Sequence, residues 1–308
     1  MEYDVMNRPV KVTIGMCVKN CEELVDKAIK SVLEQNFPQT NIELIIVDGN
    51  SKDRTVEILK DNLINTEMDV HVLSENSGLG KARQMVVETS SCDYIIWMDA
   101  DMVLPKNYVL NQVTYMENHK NVGIAAGRFR VHIGEGLAAD LENIVYAVDS
   151  VYGEQSASKY GYLPGTEGSI FRVKAIRQIN GFDTQMRGAA EDTEVASRMV
   201  KHGWEVVKTN EHFIESTRQS WTSLWLQYIW YGRGGHFVSH KNRDAINLWK
   251  MTPIAGFFAG LMRLPKAYLL THKKFTFLLP IHYTYKRFAW FSGFLSAHFQ
   301  GYGHFRTD

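Results

Sequence analysis

Two aspartates separated by a single residue, Asp99 and Asp101, stand where the apolar run Ile95-Ile96-Trp97-Met98 ends. No lysine or arginine is among their immediate sequence neighbours, so the carboxylates repel each other unless a cation joins them. Hard oxygen ligands in that arrangement suit Mg2+ or Mn2+ bridging a diphosphate. A D-x-D triplet also occurs as a solvated turn or helix cap, and its weight here comes from its place behind a strand of buried type. Asp48 ends the run ELIIV in the same way, although it also fits a turn residue in DGNS. A further pair, Glu191-Asp192, opens the helical stretch Thr193 to His202. Acids there are favoured by the helix dipole alone.

These residues need elements to hold them, and the first half of the chain supplies a regular series. Apolar runs of strand length alternate with helical patterns: Val12 to Val18, then Glu22 to Glu34; Leu44 to Val47, then Thr55 to Asn65; Val70 to Leu73, then Lys81 to Glu88; and Tyr94 to Met98. Such alternation predicts βαβ units and a mostly parallel sheet with helices on both faces. Ligands of such sheets bind at the carboxyl ends of the strands. Those ends carry Lys19-Asn20, Asp48-Gly49-Asn50-Ser51, Glu75-Asn76-Ser77-Gly78 and the DAD triplet.

From Gly161 the sequence reads GYLPGTEGSIFRVKAIRQINGFDTQMRGAAEDTEVASRMVKHGW. Together with TIGMCVKN, IIVDGNSKDRT, NSGLGKARQM, the DAD triplet, the GFD turn and the Glu191-Asp192 pair, in that order over roughly residues 10–215, the chain resembles a family 2 inverting glycosyltransferase of the GT-A fold. Each piece is weak alone and the joint signal is strong. The resemblance implies donor contacts at Val18, Asn20, Asp48, Gly80, Arg83, Asp99 and Ala100. It implies a divalent ion, Mg2+ or Mn2+, on Asp101, with Asp99 on the ribose or a metal-bound water and His212, after the strand Glu205 to Val207, as a third metal contact. Asp192 becomes the general base that takes the proton of an attacking sugar hydroxyl, and Glu191 orients it or contacts the acceptor. One departure concerns the second strand, after which the family often has two acids. Here Asp48-Gly49 leaves Asp48 alone to recognise base and ribose. Arg218, Trp221 and Trp225 lie where some polysaccharide synthases of the family hold the acceptor sugar, a loose match.

The 308 residues balance 34 basic against 34 acidic side chains, with 45% hydrophobic and 12% aromatic residues. This composition excludes a disordered, collagenous or disulfide-scaffold chain. The balance conceals a split: residues 1–220 hold 23 basic and 32 acidic side chains, and residues 221–308 hold 11 and 2, together with 21 of the 36 aromatic rings. A division at that point makes 1–220 the nucleotide-sugar-binding catalytic domain and 221–308 a helical, membrane-proximal or acceptor region. Basic and aromatic residues together point to nucleic acid or to an anionic membrane surface. No nucleic-acid-binding motif is present. Phe288, Phe291, Leu295 and Phe299 recur at helical spacing behind Lys286 and Arg287, as in a helix lying in the membrane interface, with Trp290 and Phe294 also at headgroup depth. The alternative is that these rings close the core of the catalytic domain. The longest apolar run, Ile254 to Met262, is too short to span a bilayer. Three cysteines and no apolar leader in MEYDVMNRPV favour a reducing cytosolic compartment, at the cytoplasmic face of the membrane.

The expectation is therefore a metal-dependent hexosyl- or N-acetylhexosaminyltransferase moving a sugar from a nucleoside diphosphate, first a UDP-sugar, to a hydroxyl of a lipid-linked or membrane-proximal saccharide. Two rivals stand beside it: a polyprenyl-phosphate sugar synthase, and a catalytically silent nucleotide-sugar-binding or membrane scaffold module.

Overall fold

The computed structural model describes residues 10–130, 136–152, 164–241 and 246–302. The opening Gly161-Tyr162-Leu163 of the motif-bearing stretch, the leader MEYDVMNRP and the last six residues lie outside the described residues.

Strand β1 (Val12–Val18) leads to helix α1 (Val25–Leu33), then β2 (Ile42–Asp48), α2 (Thr55–Leu63), β3 (Asp69–Ser74), α3 (Leu79–Thr89) and β4 (Tyr94–Met98). Every residue of β2 and β4 is buried, as expected of strands covered by helices on both faces. The second half adds β5 (Met102–Val103), α4 (Tyr108–Asn118), β6 (Val122–Phe129), α5 (Leu137–Tyr152), β7 (Ile170–Arg172), α6 (Val173–Gln178), α7 (Glu191–Lys201) and β8 (Glu205–Glu215). The sheet runs β3-β2-β1-β4-β7-β6-β8-β5. β7 is antiparallel to both its neighbours, while β1, β2, β3 and β4 pair in parallel. A mixed α/β sheet flanked by helices agrees with the architecture that the alternating pattern predicts.

Three boundaries differ from that pattern in ways that matter. α1 begins at Val25 because the Cys21 carbonyl accepts the Leu24 and Val25 amides in a preceding turn. α7 begins at Glu191, so the acid pair forms its first turn. β8 does not stop at Val207 but continues to Glu215 through a polar run, held by parallel pairing with β6 and antiparallel pairing with β5.

The remaining chain forms three long helices, α8 (Trp221–Lys241), α9 (Pro253–Thr271) and α10 (Leu279–Phe299). Glycines let them approach closely. A Cβ at Gly232 would meet the Trp290 carbonyl on α10, and one at Gly293 would meet the Ile229 backbone on α8. Trp290 is consequently 3% exposed, stacked on Phe294 and seated against Gly235. The expectation that Trp290 inserts into a membrane is corrected by this packing. Lys286 is corrected too: it is 4% exposed and donates at 2.5 Å to Glu142 of α5, which also contacts His282 at 2.6 Å. Leu141, Ile144, Val148, Leu279 and Tyr283 form an apolar cluster beside that ion pair, so α10 docks on α5 through both.

Candidate active site

The carboxyl ends of β1 and β4 open into a cavity of about 1660 Å³ that α7 and α8 wall on the far side. Local hydrogen bonds set the acids at its edge. The Gly168 amide donates to the Trp97 carbonyl at 3.1 Å and the Trp97 amide to the Ser169 carbonyl at 3.0 Å, which lays the loop Thr166-Glu167-Gly168 beside the end of β4. The DAD turn closes with the Met102 amide on the Asp99 carbonyl at 3.2 Å. The Ser216 amide on the Asp101 carbonyl, at 3.0 Å, ties that turn to the end of β8. As a result Asp99, Asp101, Glu167 and Glu215 all line the cavity.

Their protonation reflects crowding in a desolvated place. Burial, and then the Asp99 charge, push the Asp101 carboxyl up to about 6 against the pull of Arg218. Burial and then Asp101 push Glu215 well above the ordinary carboxylate range. Burial and then Asp192 push Glu167 up to about 8. Burial is the first cause of each shift and a neighbouring carboxyl the second, so a cation among these groups would relieve their mutual repulsion.

The facing wall starts at the first turn of α7. Ala190, at its N-cap, holds a left-handed φ of 73°, uncommon for a residue with a side chain and found where backbone is aimed for function. The α8 glycines press on this turn, for a Cβ at Gly234 would meet the Ala189 carbonyl. Glu191 is 2% exposed and pairs with the buried guanidinium of Arg83, while its Oε2 has no partner among the described residues. Arg83 also reaches Asp99 at 3.7 Å and lies 5.9 Å over the Trp97 ring. One guanidinium thus bridges the DAD turn and the acid pair of α7. Asp192 accepts the Thr193 amide at 2.5 Å and lines the cavity, and burial raises its carboxyl above the usual range despite Arg83.

Of the residues singled out in the sequence, Val18, Asn20, Arg83, Asp99, Ala100, Asp101, Glu191, Asp192 and Arg218 come together around the cavity. The others do not line it. Asp48 is buried at the end of β2, accepting the Ser51 hydroxyl at 2.6 Å. Gly80 allows close packing instead: its amide donates to the Met186 carbonyl at 2.9 Å, and a Cβ would meet the Asp183 carbonyl. His212 is exposed on β8 opposite Arg128, and the acid on this strand that reaches the DAD turn is Glu215. Trp221 and Trp225 turn onto Tyr285 of α10, and the α8 rings lining the cavity are Tyr228, Trp230 and Tyr231.

Glu167 and Glu215 escape the sequence reading. A signal exists for Glu215, since in a strand it shares a face with the buried Phe213 two residues earlier. Glu167 has none beyond lying three residues before the apolar strand Ile170–Arg172.

The chain and its fold are similar to several known proteins. It is 25% identical over 230 residues to the poly-beta-1,6-N-acetyl-D-glucosamine synthase of Staphylococcus epidermidis, covering 71% of this chain and 53% of that protein. It is 25% identical over 240 residues to the probable glycosyltransferase YdaM of Bacillus subtilis, covering 75% and 56%. The chain therefore spans about half the length of the curated relatives it matches. Among solved structures, S. aureus TarS 1-349 in complex with UDP superposes with a TM-score of 0.55 at 14% identity, covering 95% of this chain and 92% of that one. The mannosyltransferase PcManGT of Pyrobaculum calidifontis, in complex with GDP-Man and Mn2+, does so with a TM-score of 0.59 at 15% identity, covering 98% and 89%. These likenesses establish a shared GT-A fold. The family model of glycosyl transferase family 2 matches residues 13–179, more than half of the sequence and the part that carries β1 to β4, the DAD turn and Glu167, so the chain belongs to glycosyltransferase family 2.

Proposed function

We propose that the chain is a metal-dependent inverting glycosyltransferase that moves a sugar from a nucleoside diphosphate donor, a UDP-sugar first, to a hydroxyl of a saccharide held near a membrane surface. One observation carries this reading: a single cavity joins the strand-end acids Asp99, Asp101 and Glu215 to the Glu191-Asp192 pair on the opposite wall. The N-acetylglucosamine named in a curated relative and the UDP of TarS support the donor class, and the Mn2+ of the mannosyltransferase supports a divalent ion.

The residues present fit such an ion. Asp101 and Asp99 offer hard oxygens beside the place a diphosphate would occupy, and Glu215 lines the same cavity. Bound there, the metal would neutralise the negative charge that develops on the departing diphosphate.

The protein's own groups do the rest. The acceptor oxygen attacks the anomeric carbon as the bond from that carbon to the diphosphate oxygen breaks, and the hydroxyl proton passes to the Asp192 carboxylate. Burial raises the proton affinity of Asp192 and so makes it a better base. Arg83 holds Glu191 beside it. Glu167, protonated near neutral pH, adds no charge next to Asp192 and can donate a hydrogen bond. Trp230 and Tyr231 offer ring faces on which an acceptor sugar stacks. A polyprenyl-phosphate acceptor is disfavoured because a phosphate is already anionic and needs no base, so a buried Asp192 would serve no purpose.

The membrane part of the proposal rests on the outer face of α9 and α10. Ile254, Phe257, Phe258, Leu261, Met262 and Leu269 are exposed along α9 at helical spacing, as are Ile281, Phe288, Phe291, Leu295 and Phe299 along α10, with Met262 at 78% and Phe299 at 84%. Among the described residues no helix is long and apolar enough to cross a membrane. Among the described residues, Lys273 and Lys274 are exposed cations at the end of α9, and the exposed Lys250 and Lys266 line the cavity. Lys286 and Lys241 are engaged with Glu142, and with Asp183 and Glu194.

The donor part is tested by incubating the protein with a panel of nucleotide sugars and Mn2+ or Mg2+ and following nucleoside diphosphate release. The expected result is release from one donor class, lost in excess chelator and in Asp101→Ala with the circular dichroism spectrum unchanged. Full activity in chelator would overturn the metal assignment, and no release from any donor would overturn the transferase reading.

A further inference from the structure

Three imidazoles meet where α8 crosses α10, away from the oxygen-rich cavity. His236 and His240 are one helical turn apart on α8, and His298 comes from the last turn of α10. One ring nitrogen of each lies within 4.8 Å of those of the other two. The His236 and His240 ring centroids are 4.2 Å apart, and those of His236 and His298 are 5.4 Å apart.

The hydrogen bonds around them decide which nitrogens carry protons. His236 Nδ1 is 2.6 Å from the Tyr302 carbonyl, and His240 Nδ1 is 2.9 Å from the His236 carbonyl. A carbonyl only accepts, so each Nδ1 carries the hydrogen, and in the neutral ring each Nε2 has its lone pair directed away from the backbone. His298 presents Nδ1 at 3.2 Å from His236 Nε2. Imidazoles whose second nitrogen donates to a backbone carbonyl are oriented and made more basic as ligands, the arrangement that accompanies histidines bound to zinc. An N···N separation of 3.2 Å is close to the edge of a tetrahedron with metal–nitrogen bonds of about 2.0–2.1 Å.

We propose that His236, His240 and His298 form a zinc site, with water completing the coordination. Nitrogen ligands suit Zn2+, whereas the carboxylates of the cavity suit Mg2+ or Mn2+, so the two sites take different ions. The site's place gives it a structural consequence. Phe237 and Val238 pack on Met186, with Ala190 and Tyr302 against them. Lys241 bridges Asp183 at 2.7 Å and Glu194 at 2.9 Å. A metal joining α8 to α10 would hold α8 against the turn that presents Glu191 and Asp192.

The test uses the full chain without an affinity tag, stripped of metal and titrated with Zn2+ alone in a calorimeter, and then with Co2+ followed by visible absorption. Saturable binding of one ion per chain at this site and an intense tetrahedral Co2+ spectrum are expected. The exposed His240 and His298 are varied and the buried His236 is left intact. His240→Gln and His298→Gln should each weaken Zn2+ binding by more than the ~10–100-fold that loss of an outer hydrogen-bond partner costs, with the circular dichroism spectrum unchanged. Asp101→Asn should leave it intact, which separates this site from the catalytic one. Absence of saturable binding, or binding unaffected by both histidine substitutions, would overturn the proposal and leave a hydrogen-bonded histidine pair.

Discussion

Replacing Glu142 by glutamine removes the charge that joins α5 to α10. The carboxylate is 3% exposed and its Oε1 contacts His282 Nε2 at 2.6 Å and Lys286 Nζ at 2.5 Å, while Tyr228 donates to Oε2 at 3.3 Å. An amide cannot neutralise Lys286, which stays buried with the Tyr228 and Tyr283 rings, at 4.9 and 4.8 Å, facing its charge. Breaking a buried pair in this way costs about 3–5 kcal/mol, and the cation–π contacts offset part of that, so the loss should fall near 3 kcal/mol. The depressed proton affinity of the carboxyl points to a similar size. Lys286 and His282 outweigh burial and hold the Glu142 carboxyl at about 2 against an ordinary 4.5, a difference on the order of 3 kcal/mol. Because the folded value is depressed, this stability is fully present above about pH 4.5 and is lost as the pH falls towards 2. Thermal unfolding followed by circular dichroism should therefore show Glu142→Gln lower by roughly 5 °C at pH 7, with the gap to the parent narrowing below pH 4. The combined Glu142→Leu and Lys286→Met variant should recover most of the loss, since a well-packed apolar replacement of a buried pair is often neutral. A single variant that melts with the parent at pH 7, or a gap that widens in acid, would refute the reasoning.

Three other variants bear on the cavity and the outer helices. Glu167→Gln should keep transfer within about threefold of the parent at pH 7, because the carboxyl already carries a proton there; a loss of ~100-fold would instead make its charge part of the chemistry. Phe258→Ser with Met262→Ser should weaken co-sedimentation with anionic liposomes at every salt concentration. Lys273→Glu with Lys274→Glu should weaken it chiefly at low salt, by about 1 kcal/mol for each cation removed from the surface. Truncation after Lys274 would be a poor substitute, since it removes Leu279, Tyr283 and Trp290, all buried against the rest of the protein, and uncovers the apolar surface they pack on. Binding that ignores lipid charge and all four substitutions would refute the membrane reading.

The parts of the fold legible in the sequence are those that local pattern controls. β2 and β4 are covered on both faces, and so appear as unbroken apolar runs with a polar loop behind each. β8 was legible only at its start, because Lys208 to His212 is a polar run kept in strand by pairing with β6, a partner some eighty residues earlier. The same limit hides Glu215, which joins the acidic cluster only once the strand runs its full length. Lys286 reads as a headgroup-facing cation on its own helix, and its partner Glu142 lies 144 residues away. Trp290 reads as an interfacial ring, and what buries it is the absence of a side chain at Gly235 on another helix. Arg83 and Glu191 were named separately from motifs. Their ion pair, which spans the site, arises because the fold brings Arg83 of α3 to the first turn of α7, more than a hundred residues later.

The central claim is that Asp192 takes a proton from an acceptor hydroxyl while the strand-end carboxylates serve the donor. The direct measurement compares Asp192→Asn with the parent for two quantities at once: the rate of sugar transfer from the accepted nucleotide sugar, and the dissociation constant of that donor in the presence of metal. A fall in transfer of ~10²-fold or more, with donor affinity unchanged within about twofold, is the predicted result. Unimpaired transfer, or a loss of donor affinity as large as the loss of rate, would contradict it.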